Sequence, residues 1–215
     1  MFQRAHDGTP IGPLTQIYSA LKAFRRYRMM SSLFGTLSLD FVEEISDFDT
    51  STFVQLVFAL VVPDINHYAV IFAPGFLHTI KMIENQYEEM CCCISTTDFN
   101  HSTLVRNHID NTRLIANLNR ALEETAIEYG GHSYRLNRAE YIRQQCQQQS
   151  LAGILHRLWS TLVFVSTTTG GSFSIYKQEI EFYCGEKVRL TNQPWYVASE
   201  GLLGVSASIY TDEYF

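Results

Sequence analysis

Charge is scarce in this chain, and positive charge is scarcer than negative. Only 18% of the 215 residues are charged, against about 25% in an ordinary soluble domain. Sixteen Lys and Arg face 22 Asp and Glu, for a net charge of −6. That balance excludes the dense basic footprint that phosphate-backbone binding requires. The strongest positive cluster is Arg25, Arg26 and Arg28 with Lys22 one turn earlier. It reads as the solvated face of a helix, with a weak contact to RNA or an acidic neighbour as its other reading. Long apolar runs are also missing. The longest, Phe53 to Pro63, is interrupted by Gln55 and is far too short to span a bilayer, so no membrane span is expected. The polar, Gly/Pro-containing stretch Met1 to Pro13 carries no secretory signal. Five cysteines, Cys91, Cys92, Cys93, Cys146 and Cys184, are an odd count with three adjacent members. They make a poor disulfide framework and point to a reducing intracellular compartment. The sequon Asn100-His101-Ser102 is then a chance match.

What is present is apolar and aromatic. Hydrophobic residues make up 46% and aromatics 13%, enough for a substantial core in a single domain spanning 1–215. Sparse charge together with abundant Phe and Tyr suits a surface buried against partners. The pattern along the chain is β-like, then helical, then β-like. Residues 13–30 predict a helix, with Leu14, Ile17, Tyr18, Leu21 and Phe24 on one face. Alternation over Leu33 to Phe41 predicts a half-buried strand. The β-branched, apolar stretch Thr52 to Val62 predicts a central strand covered on both sides. A third strand is expected over Tyr68 to Phe72, and another over Tyr87 to Thr96. A helical block follows at about 101–159: one helix over Leu104 to Tyr129 ending at Gly130-Gly131, a second starting at Asn137 with Glu140 at capping-box spacing, and a short turn from Leu151 to Trp159. Strands resume at Thr161 to Val165, at Ile180 to Leu190 with Ile180, Phe182 and Cys184 alternating, and at Leu203 to Tyr210. The acidic-aromatic tail Asp212 to Phe215 reads as a docking segment. The fold class expected from these patterns is mainly β.

A search for chemistry finds no catalytic, cofactor-binding or metal residue to nominate, and no cofactor. Cys91, Cys93, His101 and His108 could supply four zinc ligands. Cys-x-Cys is a poor spacing for structural zinc, and in a strand Cys91 and Cys93 would share a face as small buried hydrophobes. Cys184-Gly185 faintly resembles the Cys-Gly of viral chymotrypsin-like proteases, yet Phe182 stands where that G-x-C-G pattern has glycine. His67 or His78 could be imagined as its base, with nothing local in support. Gly170-Gly171-Ser172 lacks the Lys-Ser/Thr ending of a P-loop and is read as a loop before a strand, not before a helix. Glu43-Glu44, Glu88-Glu89 and Glu123-Glu124 are adjacent pairs whose carboxylates diverge. On this reading the chain is not an enzyme and has no small-molecule substrate.

The order of elements in the first third resembles the capsid proteins of picorna-like viruses. The counterparts are Ile17 to Arg28, then Ser31 to Leu39, then Phe53 to Pro63, with Ile180 to Leu190 in the place of the last strand. The first jelly-roll strand is not evident, and the block at 101–159 is larger than that family leads one to expect. The resemblance implies an antiparallel jelly-roll β-sandwich with a helical insertion at about 101–159. It implies an icosahedral virion subunit assembled with other capsid subunits in host cytoplasm, in weak or indirect contact with genome RNA. The alternative is a non-catalytic accessory subunit of a large cellular complex. A hydrolase or cysteine protease is a third reading.

Overall fold

The computed structural model describes residues 3–4, 10–11, 42, 44–193, 195–198 and 201–205. Met1–Leu39 and Asp40–Phe215 form two compact units. In the first, β1 (Gln3–Arg4) pairs antiparallel with β2 (Pro10–Ile11). The helix expected over 13–30, its basic cluster, the strand at 33–41 and the tail at 212–215 lie outside the described residues.

The second unit is built largely from helices, and it opens with one where the sequence pattern predicts a central strand. Asp47 ends the preceding segment in an extended conformation. Its Oδ1 accepts from Thr50 N at 2.8 Å and Thr50 Oγ1 at 2.6 Å, which caps helix α1 (Phe48–Val61). Phe53, Val54, Leu56, Val57, Phe58, Leu60 and Val61 are all buried, so α1 is enclosed around most of its circumference. A helix covered on every side has no polar stripe and therefore no 3.6-residue signature. The carbonyls at its end are satisfied by other elements. Arg138 Nε donates to Leu60 O at 2.7 Å, Tyr134 Oη to Val61 O at 2.6 Å, and Trp159 Nε1 to Ala59 O at 2.9 Å.

Strand β3 (His67–Phe72) runs straight into helix α2 (Ala73–Thr96), with Pro74 in the first turn where its missing N–H costs nothing. The strand expected over 87–96 is the second half of this helix. Helix α3 (Thr103–His108) is capped by Ser102. Helix α4 (Thr112–Glu128) is capped by Asn111, whose Oδ1 accepts from Arg113 N and Leu114 N. The single helix expected over 104–129 is thus two. Helix α5 (Gly131–Cys146) starts six residues before the expected Asn137, which with Glu140 is mid-helix and caps nothing. It packs extensively on α2. Helix α6 (Ile154–Leu158) is the short turn the sequence suggests.

Strand β4 (Phe164–Thr168), a 3₁₀ turn (Gly171–Tyr176), helix α7 (Lys177–Cys184) and strand β5 (Arg189–Thr191) follow. Residues 180–184 are helix, not strand: Ile180, Tyr183 and Cys184 are buried at i, i+3, i+4, while Phe182 is 47% exposed. The alternation of Ile180, Phe182 and Cys184 is coincidental. Strands β3, β4 and β5 form one sheet in that order, parallel throughout. β6 (Trp195–Ala198) and β7 (Gly201–Val205) form a separate antiparallel pair. The mainly β antiparallel sandwich is therefore overturned. Among the described residues, seven α-helices accompany a small parallel sheet, and the helices at 101–159 belong with α1 and α2 rather than interrupting a β-sandwich.

Candidate functional site at the carboxyl edge of the parallel sheet

An open parallel sheet binds ligands beyond the carboxyl ends of its strands, where the chain leaves the sheet in loops. Three segments meet at that edge here. β3 gives way to α2 at Phe72-Ala73, β4 to the loop Thr169-Gly170-Gly171, and β5 to Asn192-Gln193.

The β4 loop is exposed at this edge. Gly170, Gly171 and Ser172 are all exposed. Gly171 has φ +57, in the left-handed region that glycine enters without strain, and a side chain at either glycine would point into open space. The bare backbone is accessible to a ligand. Behind the loop, Thr167 is fully buried, and its Oγ1 has no hydrogen-bond partner among the described residues. Phe72 and Phe173 close one side with ring centroids 5.5 Å apart, beside Ile71, which is 66% exposed. The first turn of α2 carries no acidic residue and no side-chain cap, so its positive end faces this edge uncompensated by its own side chains.

Two side chains from the end of β5 hold the edge in shape. β3 carries an irregularity: Ala69 pairs with Ser166 and Phe72 with Thr168, so two residues of β3 oppose one of β4. Gln193 Nε2 spans it, donating to Val70 O on β3 at 2.9 Å and Ser166 O on β4 at 3.0 Å. Asn192 Oδ1 accepts from Thr169 N at 3.2 Å and Thr169 Oγ1 at 3.0 Å.

The residues weighed from sequence do not converge. Cys91 and Cys93 lie on α2, buried, about 200° apart around a helix instead of on one strand face. His101 ends a 3₁₀ turn, and His108 ends α3 with Nδ1 3.0 Å from Thr50 Oγ1. Among the described residues no group of three or more His, Cys, Asp or Glu is arranged to hold a metal ion. Cys184 is 1% exposed, and burial pushes its thiol up to about 12, the opposite of an activated nucleophile. His67 Nε2 is 2.7 Å from Ser166 Oγ, and His78 Nε2 is 3.0 Å from Asp49 Oδ1. Neither contact involves Cys184. The carboxylates serve local structure: Glu88 meets Arg143, Glu89 accepts from Thr103 N, Glu123 meets Arg135, and Glu124 lies 4.0 Å from Arg120. Glu43 is outside the described residues. No helix among them is long and apolar enough to cross a membrane. Gly170-Gly171 lacks the Lys-Ser/Thr ending of a P-loop, but it precedes a 3₁₀ turn and helix α7, not the strand expected after it. The signal for a helix was available in the spacing of Ile180, Tyr183 and Cys184.

A parallel sheet with a glycine loop leading from its central strand through a 3₁₀ turn into a helix defines the class: an α/β domain. The chain belongs to the GH3 family, matching the model of the GH3 family N-terminal domain over residues 2–189. It is 26% identical over 142 residues to indole-3-acetic acid-amido synthetase GH3.17 of Arabidopsis thaliana, a match covering 66% of this chain and 20% of that protein. It is 26% identical over 136 residues to 4-substituted benzoates-glutamate ligase GH3.12 of the same plant, covering 63% and 21%. The solved structure of GH3.15 acyl acid amido synthetase superposes with a TM-score of 0.74 at 21% identity. It covers all of this chain and 35% of the other, and at that identity it establishes the fold alone. The matched segment thus spans about a fifth of the curated relatives' length.

These findings correct the remaining expectations. The resemblance to picorna-like capsid proteins was one of element order only, and it fails at Phe53 to Pro63, where residues 53–61 are helix, and at Ile180 to Leu190, where residues 180–184 are helix. A virion subunit meeting other capsid subunits in host cytoplasm is overturned, as is the accessory structural subunit, because the family is GH3 and its curated relatives are plant synthetases and ligases. The absence of any enzyme role or small-molecule substrate is overturned on the same ground. The relatives are named for the acids and amino acid they join.

Proposed function

We propose that this chain forms part of an acyl acid amido synthetase, and that the carboxyl edge of β3-β4-β5 is the wall against which the acid is activated. The observation that carries the reading is the exposed Gly170-Gly171 turn leaving the central strand, in a chain whose family relatives are named amido synthetases and ligases. Joining a carboxylate to an amine in water is uphill, so a ligase couples it to cleavage of a phosphoanhydride. The carboxylate oxygen attacks the α-phosphorus of a nucleoside triphosphate, the bond to the bridging oxygen breaks and pyrophosphate leaves, and an acyl–nucleoside monophosphate mixed anhydride forms. The amino acid nitrogen then attacks the acyl carbon and expels the phosphate ester, giving the amide. Both steps pass through anionic groups. The bare amides of the glycine turn and the uncompensated amino end of α2 suit such charge. Phe72, Phe173 and Ile71 offer an apolar contact for the body of the acid.

The test is incubation of the purified protein with magnesium nucleoside triphosphate, aromatic carboxylic acids and amino acids, with mass spectrometry for the conjugate. Calorimetric titration of nucleotide and acid is run alongside. Amide formation, or saturable binding of acid or nucleotide by the chain on its own, is the expected result. The absence of both turnover and binding across the panel would sink the proposal.

A further inference from the structure

The β4 loop owes its shape to a side chain outside it. Thr169 has two donors, its backbone N–H and its hydroxyl, and both go to the single acceptor Asn192 Oδ1, at 3.2 and 3.0 Å. Gly170 and Gly171, which follow immediately, carry no side chain to restrain themselves, and both are exposed. The next residue along β5's exit, Gln193, ties the two strands upstream of the loop together across the β3 irregularity. One dipeptide therefore fixes both the end of the central strand and the first residue of the glycine turn.

We infer that Asn192 is a positioning residue for the substrate site. By accepting both donors of Thr169 it holds the Gly170-Gly171 backbone in its open, ligand-ready conformation. Gln193 keeps Asn192 in register with β4 by binding across the sheet. The inference rests on the functional reading for which ligand the turn meets, but the clamp itself is a property of the free chain. It acts through Thr169 and touches no reacting atom.

The effect on ligand follows from population. If removing the clamp leaves the turn in its competent conformation only a tenth of the time, affinity falls about tenfold without any contact to ligand being lost. A merely structural role would lower thermal stability and leave the affinity of the folded fraction unchanged.

The experiment compares the wild-type chain with Asn192→Ala, Thr169→Val and the double variant. Two readouts are taken under native conditions: amide hydrogen exchange of Thr169 and Gly170, and the dissociation constants of nucleoside triphosphate and an aromatic acid. The inference expects Asn192→Ala to speed exchange at Thr169 at least about tenfold and to weaken binding by a similar factor. It also expects the double variant to be no worse than Asn192→Ala alone, because both changes break one clamp. Unchanged Thr169 exchange in a folded Asn192→Ala chain overturns the inference. Additive effects of the two substitutions on exchange also overturn it. A wild-type chain that binds neither ligand sinks the functional reading instead, and the exchange result still decides the clamp.

Discussion

Arg138 shows how one residue can hold three elements. Its side chain sits on α5, 8% exposed, and donates to Leu60 O at the end of α1 and to Leu158 O at the end of α6. It pairs with no carboxylate among the described salt bridges; its partners are the negative ends of two helices. Burial pushes its pKa down, opposed by Tyr134 and Tyr141. Two effects compete when the charge is removed. The desolvation cost of a buried guanidinium disappears, while two buried carbonyls lose their donor. The second should win, because the helix ends cannot reach water to replace it. Arg138→Met is expected to cost about 2–3 kcal/mol, read as a lower urea midpoint at unchanged slope. Arg120, whose side chain is 68% exposed and 4.0 Å from Glu124, is the contrast: Arg120→Met should change stability by no more than about 0.5 kcal/mol.

At the scale of elements, the approach of α6 and α7 depends on two glycines. Gly185 has φ +65 and ψ −162, a combination essentially confined to glycine, and Gly153 has φ +65. A Cβ at Gly185 would stand 2.8 Å from Gly153 Cα, backbone against backbone, beside the bond from Gly153 N to Phe182 O at 2.9 Å. Neither atom belongs to a flexible side chain, so the helices must separate. Gly185→Ala is expected to destabilise by about 2 kcal/mol or more, checked by thermal unfolding beside wild type. That contact also explains what the sequence could and could not reveal. Cys184-Gly185 bears only a faint resemblance to a protease Cys-Gly, and the glycine serves a helix-to-helix contact. The short strand at 68–72 and the helix end at Gly130-Gly131 were legible, because each has local punctuation. Helix α1 was not, since burial all round erases the amphipathic period and β-branched residues then favour a strand reading. Its one local sign was Asp47 three residues before Thr50, a cap that outweighs the propensity of Thr52, Val54 and Val57. Misreading α1 and α7 as strands turned a helical α/β unit into a sandwich. It also hid the strand–glycine–helix order on which the candidate site depends.

At the scale of the whole molecule, low charge and high aromatic content pointed to a surface for assembly. The buried aromatics have a different use here. Phe53, Phe76, Phe99 and Trp159 are among the largest fully enclosed side chains; Phe76 and Trp159 pack on Tyr68 of the sheet, and Phe99 packs on Phe58 of α1. Much of the apolar content is thus core, and a scarcity of charge says little about partners when helices such as α1 are buried on most sides. Ile71 and Phe72 are exposed at the carboxyl end of β3, and Phe72 meets Phe173 just past the glycine turn. No single stretch of sequence reports this site. It is assembled from positions 72–76, 167–173 and 192–193, brought together only by parallel pairing across long crossovers. The most direct test of the account is the footprint of ligand on the chain, measured by amide exchange with and without nucleoside triphosphate and an aromatic acid. The account predicts protection at Thr168 to Phe173, at Asn192 and in the first turn of α2. Protection confined to other surfaces, such as α4 and α5, with the glycine turn unchanged, would contradict it.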